Sequence, residues 1–326
     1  MKPILTVEDL HVHFVSNSET TYAVNGLSIK LYSQEILGIV GESGSGKSVA
    51  VKSILGLLPE TAQISGKIAL GEERLDQLNS DRLRQIRGKE IAMIFQDPMT
   101  SLNPLFTISD QMTRVIERHL HLDKQGANEL AELWLRRVGI TDAKRRLNQY
   151  PHEFSGGMRQ RVMIAMAMSL SPRVLIADEP TTALDVTIQK QILGLIRQME
   201  SEVQNSVILI THDLGVVANT CHRMVVMYGG MIMEQGNVSD VFSHPAHPYT
   251  QGLMDSLPSE NNGRHLVPIP GQPAIATTEP KLCPFLDRCP KSISTCFQKM
   301  PVLTEIKQDH LVRCWLVEQG GNDETI

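Results

Sequence analysis

The chain has 326 residues, of which 41% are hydrophobic and 21% charged, enough apolar material for one large globular domain with an appendage. Its formal net charge of −5 argues against nucleic acid as a partner, because proteins that bind nucleic acid usually carry a basic surface. No stretch reaches the roughly 18 uninterrupted apolar residues that a membrane helix needs, and the N-terminus lacks a signal-peptide pattern. We therefore expect a cytosolic protein, in which any membrane span is supplied by other chains.

The first 257 residues alternate short β-branched runs with helical patterns, which predicts an α/β fold. Unbroken apolar runs are typical of parallel strands covered on both faces. We predict such strands at Ile36–Val40, Ile91–Phe95, Val174–Ala177 and Val207–Ile210. Helices are predicted from Gly46 to Leu57 and from Thr187 to Met199. Helical periodicity over about 105–150 predicts a helical subdomain, placed at about 97–158, inserted into this core.

A boundary is predicted near Leu257, because five prolines and little periodicity mark 258–280 as a linker. The rest of the chain, to residue 326, is expected to be a small cysteine-rich module. Its four cysteines are Cys283, Cys289, Cys296 and Cys314. A disulfide framework is not expected in a reducing cytosol, so a metal or cluster site is the better interpretation. Cys221, on a predicted helix, is interpreted as a small core residue.

A glycine-rich segment follows the first predicted strand. Gly41–Ser48 fits the pattern G-x-x-x-x-G-K-[ST] and lies between a predicted strand and a predicted helix. Glycines let backbone N–H groups surround phosphate oxygens, the lysine reaches the β- and γ-phosphates, and the last hydroxyl binds Mg²⁺. The residues expected to contact the nucleotide are Gly41, Ser43, Gly44, Ser45, Gly46, Lys47 and Ser48.

Two adjacent acids end the predicted strand Val174–Ala177. Beside a phosphate-binding loop, Asp178 can bind the metal directly or through water, and Glu179 is placed to polarise the attacking water. Adjacent acids after a strand are also common helix-capping residues. Taken alone, the pair leaves both interpretations open.

Four further segments complete a recognisable order. Tyr150–Gln160 resembles the signature segment of ABC-family ATPases, and Gln96 stands where that family has its Q-loop. Ala183–Asp185 looks like the D-loop of the family, and His212 occupies its switch-histidine position. The resemblance implies a P-loop ABC ATPase that binds and hydrolyses ATP with Mg²⁺.

The resemblance also implies a role for each matching residue. Glu179 would be the general base, His212 would contact the γ-phosphate, and Gln96 would act in catalysis and join Ser48 and Asp178 at Mg²⁺. In a head-to-tail dimer, the γ-phosphate of ATP on the opposing subunit would be contacted by Ser155, Gly156 and Gly157. Asp185 would link the two sites, and Tyr22 would stack on the adenine ring.

Two residues depart from the usual signature. Phe154 and Met158 replace the usual leucine and glutamine, but neither replaces a group that binds phosphate.

The segments around these motifs resemble a narrower branch, the dipeptide, oligopeptide and nickel importers. They are Met93–Pro104, Ala177–Thr187, His244–Thr250 and Cys283–Pro290. The resemblance implies ATP-driven import of dipeptides or oligopeptides, with nickel or metal chelators as the alternative cargo. It implies a second ATPase in a heterodimer, two transmembrane permease subunits and an extracytoplasmic solute-binding protein. The chain would then act at the cytoplasmic face of the inner membrane.

Several alternatives remain open at this stage. The cysteine spacing C-x₅-C-x₆-C-x₁₇-C suits a [4Fe–4S] cluster, as some members of the branch carry here, or Zn²⁺, or unligated thiols. The histidines of His244–Thr250 suit a zinc site or, as the intervening prolines favour, a structural turn. A soluble ABC ATPase of translation or DNA repair, or an exporter ATPase, is the functional rival. One P-loop and no sustained heptads argue against the former, and the tail argues against the latter.

Overall fold

The computed structural model describes residues 2–16, 19–182, 184–256, 268–273 and 276–319. Its strands are β1 (Pro3–Val15), β2 (Thr20–Tyr32), β3 (Ile36–Val40), β4 (Ala62–Leu70), β5 (Glu73–Arg74), β6 (Ile91–Ile94), β7 (Val174–Asp178), β8 (Ser206–Thr211), β9 (Arg223–Tyr228), β10 (Met231–Asn237), β11 (Thr304–Lys307) and β12 (His310–Val312). Its helices are α1 (Lys47–Ile54), α2 (Ser80–Ile86), α3 (Pro98–Ser101), α4 (Ile108–Leu120), α5 (Lys124–Arg137), α6 (Ala143–Arg146), α7 (Gly156–Met168), α8 (Val186–Val203), α9 (Leu214–Thr220), α10 (Val238–Ser243), α11 (Pro248–Asp255) and α12 (Trp315–Gln319).

The larger sheet has eight strands in the order β11-β12-β10-β9-β3-β8-β7-β6. The four predicted apolar strands are confirmed as β3, β6, β7 and β8, neighbours in the parallel part of this sheet. Along β7, Leu175 and Ala177 pack into one hydrophobic core, whereas Val174 and Ile176 pack into the core on the opposite face. Burial on both faces explains why these strands read as unbroken apolar runs.

A second, antiparallel sheet in the order β2-β1-β4-β5 was not predicted. Along β1, the buried residues Leu5 and Val7 are followed by Leu10 and Val12, so the alternation slips by one residue. The pairing register shifts between Val7 and Leu10, where Asp9 adopts a left-handed φ of 48°. A bulge of this kind hides the period of two by which a strand is recognised in a sequence.

Helices α3 to α6 lie within the region predicted to be helical. Asp110 and Thr107 form a capping box at the start of α4, and the Asp123 side chain caps α5. Leu133, part of the predicted apolar run, is 45% exposed, and the neighbouring Trp134 is buried in its place. The apolar face of α5 packs against α4 and α7 in a core shared with the larger sheet.

Other predicted helices differ at their ends. Helix α1 ends at Ile54 rather than Leu57, because Gly56 adopts a left-handed φ of 59°. Helix α8 is longer than predicted, and Cys221 follows α9 instead of lying within it. Burial raises the pKa of the Cys221 thiol to about 12, in keeping with a packing role. Within the described residues, no helix is long and apolar enough to span a membrane.

The C-terminal segment extends the larger sheet, because β12 pairs with β10 and β11 pairs with β12. The fully buried Glu234 carboxylate accepts from the backbone N–H groups of Ala246 and His247 and lies 2.8 Å from His310 Nε2. His247 Nδ1 in turn accepts from Tyr249 N–H and caps α11. The histidine segment is thus a structural turn, while the predicted boundary at Leu257 lies outside the described residues.

Candidate active site

The glycine-rich loop lies between the end of β3 and the start of α1. A Cβ atom on Gly41 would lie 2.1 Å from the carbonyl oxygen of Met227, and one on Gly46 would lie 2.3 Å from that of Ala23. Both glycines also have positive φ, 154° and 95°. Only glycine fits such close backbone approaches, and the resulting loop at a helix N-terminus suits a phosphate ligand.

The Lys47 side chain is folded back across this loop. Its Nζ donates to the carbonyl oxygens of Gly41 and Glu42, each at 2.8 Å, and to Ser45 Oγ at 3.2 Å. Burial lowers the pKa of Lys47, while the carboxylates of Glu179, Asp178 and Glu42 oppose that shift. The loop's hydrogen-bond acceptors thus hold the buried Lys47 amine beside the position where the phosphates of a nucleotide would bind.

Parallel strands bring a carboxylate to the same edge of the sheet. Asp178, the last residue of β7, pairs with Ile210 of β8, and Val40 of β3 pairs with the following Thr211. Ser48 Oγ donates to Asp178 Oδ1 at 2.8 Å. Burial raises the pKa of Asp178, which is 1% exposed, and the bond from Ser48 opposes the rise. A hydroxyl and a carboxylate side by side are the oxygen ligands that Mg²⁺ prefers, so the residues fit that ion.

The Glu179 carboxylate is in contact with several other polar side chains of the site. Its Oε2 accepts from Gln96 Nε2 and from Thr182 Oγ1, both at 2.9 Å, and its Oε1 lies 3.6 Å from His212 Nδ1. Its φ of 47° is left-handed, a conformation that is strained for glutamate and often found at functional sites. Two other residues predicted from sequence, Gln96 and His212, therefore lie beside the predicted Glu179 carboxylate. Thr182 was missed, although its nearness to Glu179 in sequence was a usable signal.

The signature residues lie elsewhere on the surface. Ser155 caps α7, accepting from Met158 N–H, and both Ser155 and Gly156 are exposed. A Cβ atom on Gly157 would lie 2.9 Å from the Ile188 side chain, so glycine permits contact with α8. None of the hydrogen bonds described above for Lys47, Asp178 or Glu179 involves these residues. The helix N-terminus and its exposed serine thus face outward.

The unusual signature residue Phe154 has a structural explanation. Its ring is 3% exposed within the core of the helical region, and the Arg146 guanidinium lies 5.7 Å from its centroid. Met158 is partly buried against the same core. Both replacements therefore serve packing.

Two further predicted residues have structural contacts of their own. Asp185 Oδ1 accepts from Ile188 N–H and caps α8. The Tyr22 ring stacks on His13 at 5.6 Å, and Tyr22 N–H donates to the Ala276 carbonyl oxygen. Tyr22 and the segment 276–284 line one cavity, so the C-terminal segment forms part of the wall of the cavity that the tyrosine lines.

All four C-terminal cysteines line a single cavity of about 20 Å³. Burial raises the pKa of Cys283 to about 12 and also raises that of Cys289 and Cys314. Across the described ranges, no three or more His, Cys, Asp or Glu side chains are grouped so as to hold a metal ion. The soft donors converge, but they are not arranged as a preformed metal site.

Comparison with known proteins agrees with this geometry. The family model described as ABC transporter matches residues 24–182, and the model described as oligopeptide/dipeptide transporter, C-terminal region, matches residues 233–296. The chain belongs to the ABC transporter ATPase family and hydrolyses ATP.

Similar proteins match this chain over nearly its whole length. The probable peptide ABC transporter ATP-binding protein y4tR of Sinorhizobium fredii is 51% identical over 96% of this chain and 94% of that protein. The dipeptide transport ATP-binding protein DppD of Bacillus subtilis is 48% identical over 98% of this chain and 96% of that protein. A solved structure, a dimeric post-hydrolysis state of the ATP-binding cassette MJ0796 bound to ADP and Pi, matches with a TM-score of 0.65. That match has 25% identity and covers 72% of this chain and 98% of that chain.

Proposed function

We propose that this chain powers the import of dipeptides or oligopeptides as an ATPase subunit at the cytoplasmic face of the inner membrane. The observation that carries the proposal is the full-length similarity, C-terminal region included, to proteins named for peptide transport. Nickel import by the same machinery is the second candidate, but the relatives described above are named for peptides. A soluble, non-transport ABC ATPase is disfavoured by the transporter-type C-terminal region.

In the proposed reaction, Lys47 and the glycine-rich loop bind the phosphates of ATP. Ser48 and Asp178, which are hydrogen-bonded to each other, would hold Mg²⁺. Gln96, whose amide nitrogen donates to Glu179, would be the third ligand. Mg²⁺ held by these residues would neutralise phosphate charge.

Glu179 is the general base, and the two carboxylate oxygens have different tasks. Oε2 is held by Gln96 and Thr182, which fixes the orientation of the group. Oε1, on the side of His212, accepts the proton of the attacking water. His212, 64% exposed, is free to turn toward the γ-phosphate.

We place a second ATPase subunit against the exposed signature. Ser155, Gly156 and Gly157 would contact the γ-phosphate of ATP held by that subunit, using the N-terminus of α7 as an anion site. Asp185 would link the two sites, and the adjacent Val186, 69% exposed, supports an interface there. The matched cassette is dimeric. A heterodimer is proposed because members of the resembled branch work with different ATPase partners.

Tyr22 is proposed to stack on adenine. One face of its ring is covered by His13, and the ring lines a cavity next to Ala23, which contacts the phosphate loop at Gly46. A base stacked there would extend from the phosphates toward the C-terminal segment.

A groove of about 530 Å³ between the α/β core and the helical region is proposed to receive a permease segment. Its apolar lining includes the partly exposed Leu57 and Phe95. The arginines at its margin are Arg84, Arg87, Arg114 and Arg118. This chemistry fits a short amphipathic helix with acidic flanks. Two transmembrane permeases would dock this way, one on each ATPase, and receive cargo from the solute-binding protein.

The partner proposal is tested by affinity purification of tagged Glu179→Gln protein from detergent-solubilised native cells, followed by mass spectrometry. Two multi-span membrane proteins and a second ATPase are expected. Leu57→Asp in the same background is expected to lose the membrane proteins while still binding ATP, because it charges the groove. Recovery of only ribosomal or DNA-associated proteins would contradict the importer.

For the cysteine cavity we propose a [4Fe–4S] cluster, with Zn²⁺ and unligated thiols as alternatives. The support for this proposal is that all four thiols line one cavity, because sets of four cysteines bind iron–sulfur clusters as well as zinc. The cavity of about 20 Å³ must widen on insertion.

Anaerobically purified protein is expected to contain about four iron and four acid-labile sulfide per chain. Cys296→Ser should lower both, because it removes a thiolate ligand, whereas Cys221→Ser, outside the cavity, should retain them. Stoichiometric zinc without iron in the unaltered protein would contradict the cluster.

A further inference from the structure

The cysteine-rich segment touches the phosphate-binding loop through one ion pair. Arg288 Nη1 donates to Glu42 Oε2 at 2.7 Å, and Nη2 donates to Oε1 at 3.2 Å. The Arg288 side chain is 7% exposed and that of Glu42 is 23% exposed. A two-pronged arginine–carboxylate pair, largely shielded from water, is among the stronger ionic contacts in proteins.

Arg288 is fixed from several other directions. Its Nε donates to the Pro270 carbonyl oxygen at 2.7 Å, and Nη2 also donates to that of Ile269 at 3.2 Å. Nη1 donates to Tyr228 Oη, and the guanidinium packs near the Tyr228 and Phe285 rings. Because so many contacts hold the arginine, it is the anchor of the pair, and Glu42 is the residue being positioned.

Glu42 connects this anchor to the catalytic lysine. Its backbone N–H donates to Tyr249 Oη at 2.9 Å, and its carbonyl oxygen accepts from Lys47 Nζ at 2.8 Å. Its carboxylate is close enough to act on the charge of Lys47. If left unpaired, that negative charge would oppose the phosphates of ATP and compete with them for the lysine.

We propose that Arg288 is a positioning residue for nucleotide binding, which holds Glu42 in place and neutralises its charge beside the phosphate site. The C-terminal region thereby contributes to ATP affinity without contacting the reacting atoms. The inference rests on ATP hydrolysis by this chain and is independent of the cargo.

The test measures the Kd for ATP with Mg²⁺, and KM and kcat for hydrolysis, with full-length protein. Arg288→Met, which keeps the bulk of the side chain but not its charge, is expected to raise Kd and KM about ten-fold. Its kcat at saturating ATP should change less than about two-fold, since Glu179 and its partners are untouched.

Two further variants separate this role from general support of the fold. Adding Glu42→Gln to Arg288→Met is expected to recover most of the lost affinity, because the unpaired carboxylate is gone. Lys307 lies on β11 in the same C-terminal region as Arg288 and forms an ion pair with Asp240 of α10. Lys307→Met removes that pair and should leave the Kd for ATP unchanged. Arg288→Lys, which keeps the charge but not the two-pronged geometry, should fall between wild type and Arg288→Met.

The proposal is overturned if Arg288→Met binds ATP as Lys307→Met does. It is also overturned if Glu42→Gln fails to improve the affinity of Arg288→Met. If Arg288→Met does not fold, Arg288→Lys and the double variant test the proposal. Equal Kd values for ATP in Arg288→Lys and wild type would then contradict the positioning role of Arg288.

Discussion

Replacing Glu179 with glutamine is expected to reduce steady-state ATP hydrolysis by about 10²–10⁴-fold, the usual contribution of a general base. A glutamine carbonyl oxygen can still accept from Gln96 and Thr182, so the arrangement around Oε2 is preserved. The change removes the basic oxygen on the side of His212. Binding of ATP should therefore persist, and the variant should accumulate in the ATP-bound state, paired with the proposed second ATPase where that subunit is present.

The measurement is phosphate release at saturating ATP, with nucleotide binding followed in parallel. Glu60→Gln, the same change at an exposed position away from the site, serves as the matched control and should hydrolyse ATP normally. Unchanged turnover by Glu179→Gln would remove this residue from the proposed role.

Gly41→Ala is expected to abolish ATP binding and to destabilise the fold. The added Cβ would lie 2.1 Å from the Met227 carbonyl oxygen and 2.8 Å from Ser45 Oγ, so backbone must move. Overpacking that displaces backbone costs about 1–3 kcal/mol of stability, and here the displaced backbone is the phosphate site itself.

Gly44→Ala is the matched comparison. A Cβ there meets nothing within 4 Å. The free energy of unfolding is therefore lowered only by the left-handed φ of 80°, which costs an alanine about 1–2 kcal/mol. We expect this variant to bind ATP more weakly than wild type but far better than Gly41→Ala. Titration calorimetry and thermal unfolding distinguish the two, and equal effects would contradict a steric role for Gly41.

The parts of the site that sequence predicts well lie next to strand ends. Lys47 and Glu179 follow β3 and β7 within a few residues, and parallel strands place their carboxyl ends at one edge of the sheet. A residue that follows a parallel strand in the sequence is therefore expected at this edge, and the two groups can be placed near each other without knowledge of side-chain packing.

Contacts between segments that are distant in sequence could not be predicted from any local sequence pattern. Glu42 and Arg288 are 246 residues apart, and neither belongs to a periodic pattern. The pairing of β12 with β10, which brings the C-terminal segment onto the larger sheet, is accompanied by a buried contact between Glu234 and His310. A polar contact of this kind cannot be read from hydrophobic periodicity. The bulge at Asp9 concealed β1 for a related reason, because it breaks the alternation on which strand prediction depends.

The most direct test of the proposed function is ATP hydrolysis by the complex reconstituted in proteoliposomes with the proposed permeases, second ATPase and solute-binding protein. We predict that a peptide-loaded binding protein stimulates hydrolysis and peptide uptake, and that both are lost with Glu179→Gln. Hydrolysis that responds to nickel and not to peptides, or that ignores the binding protein altogether, would contradict peptide import.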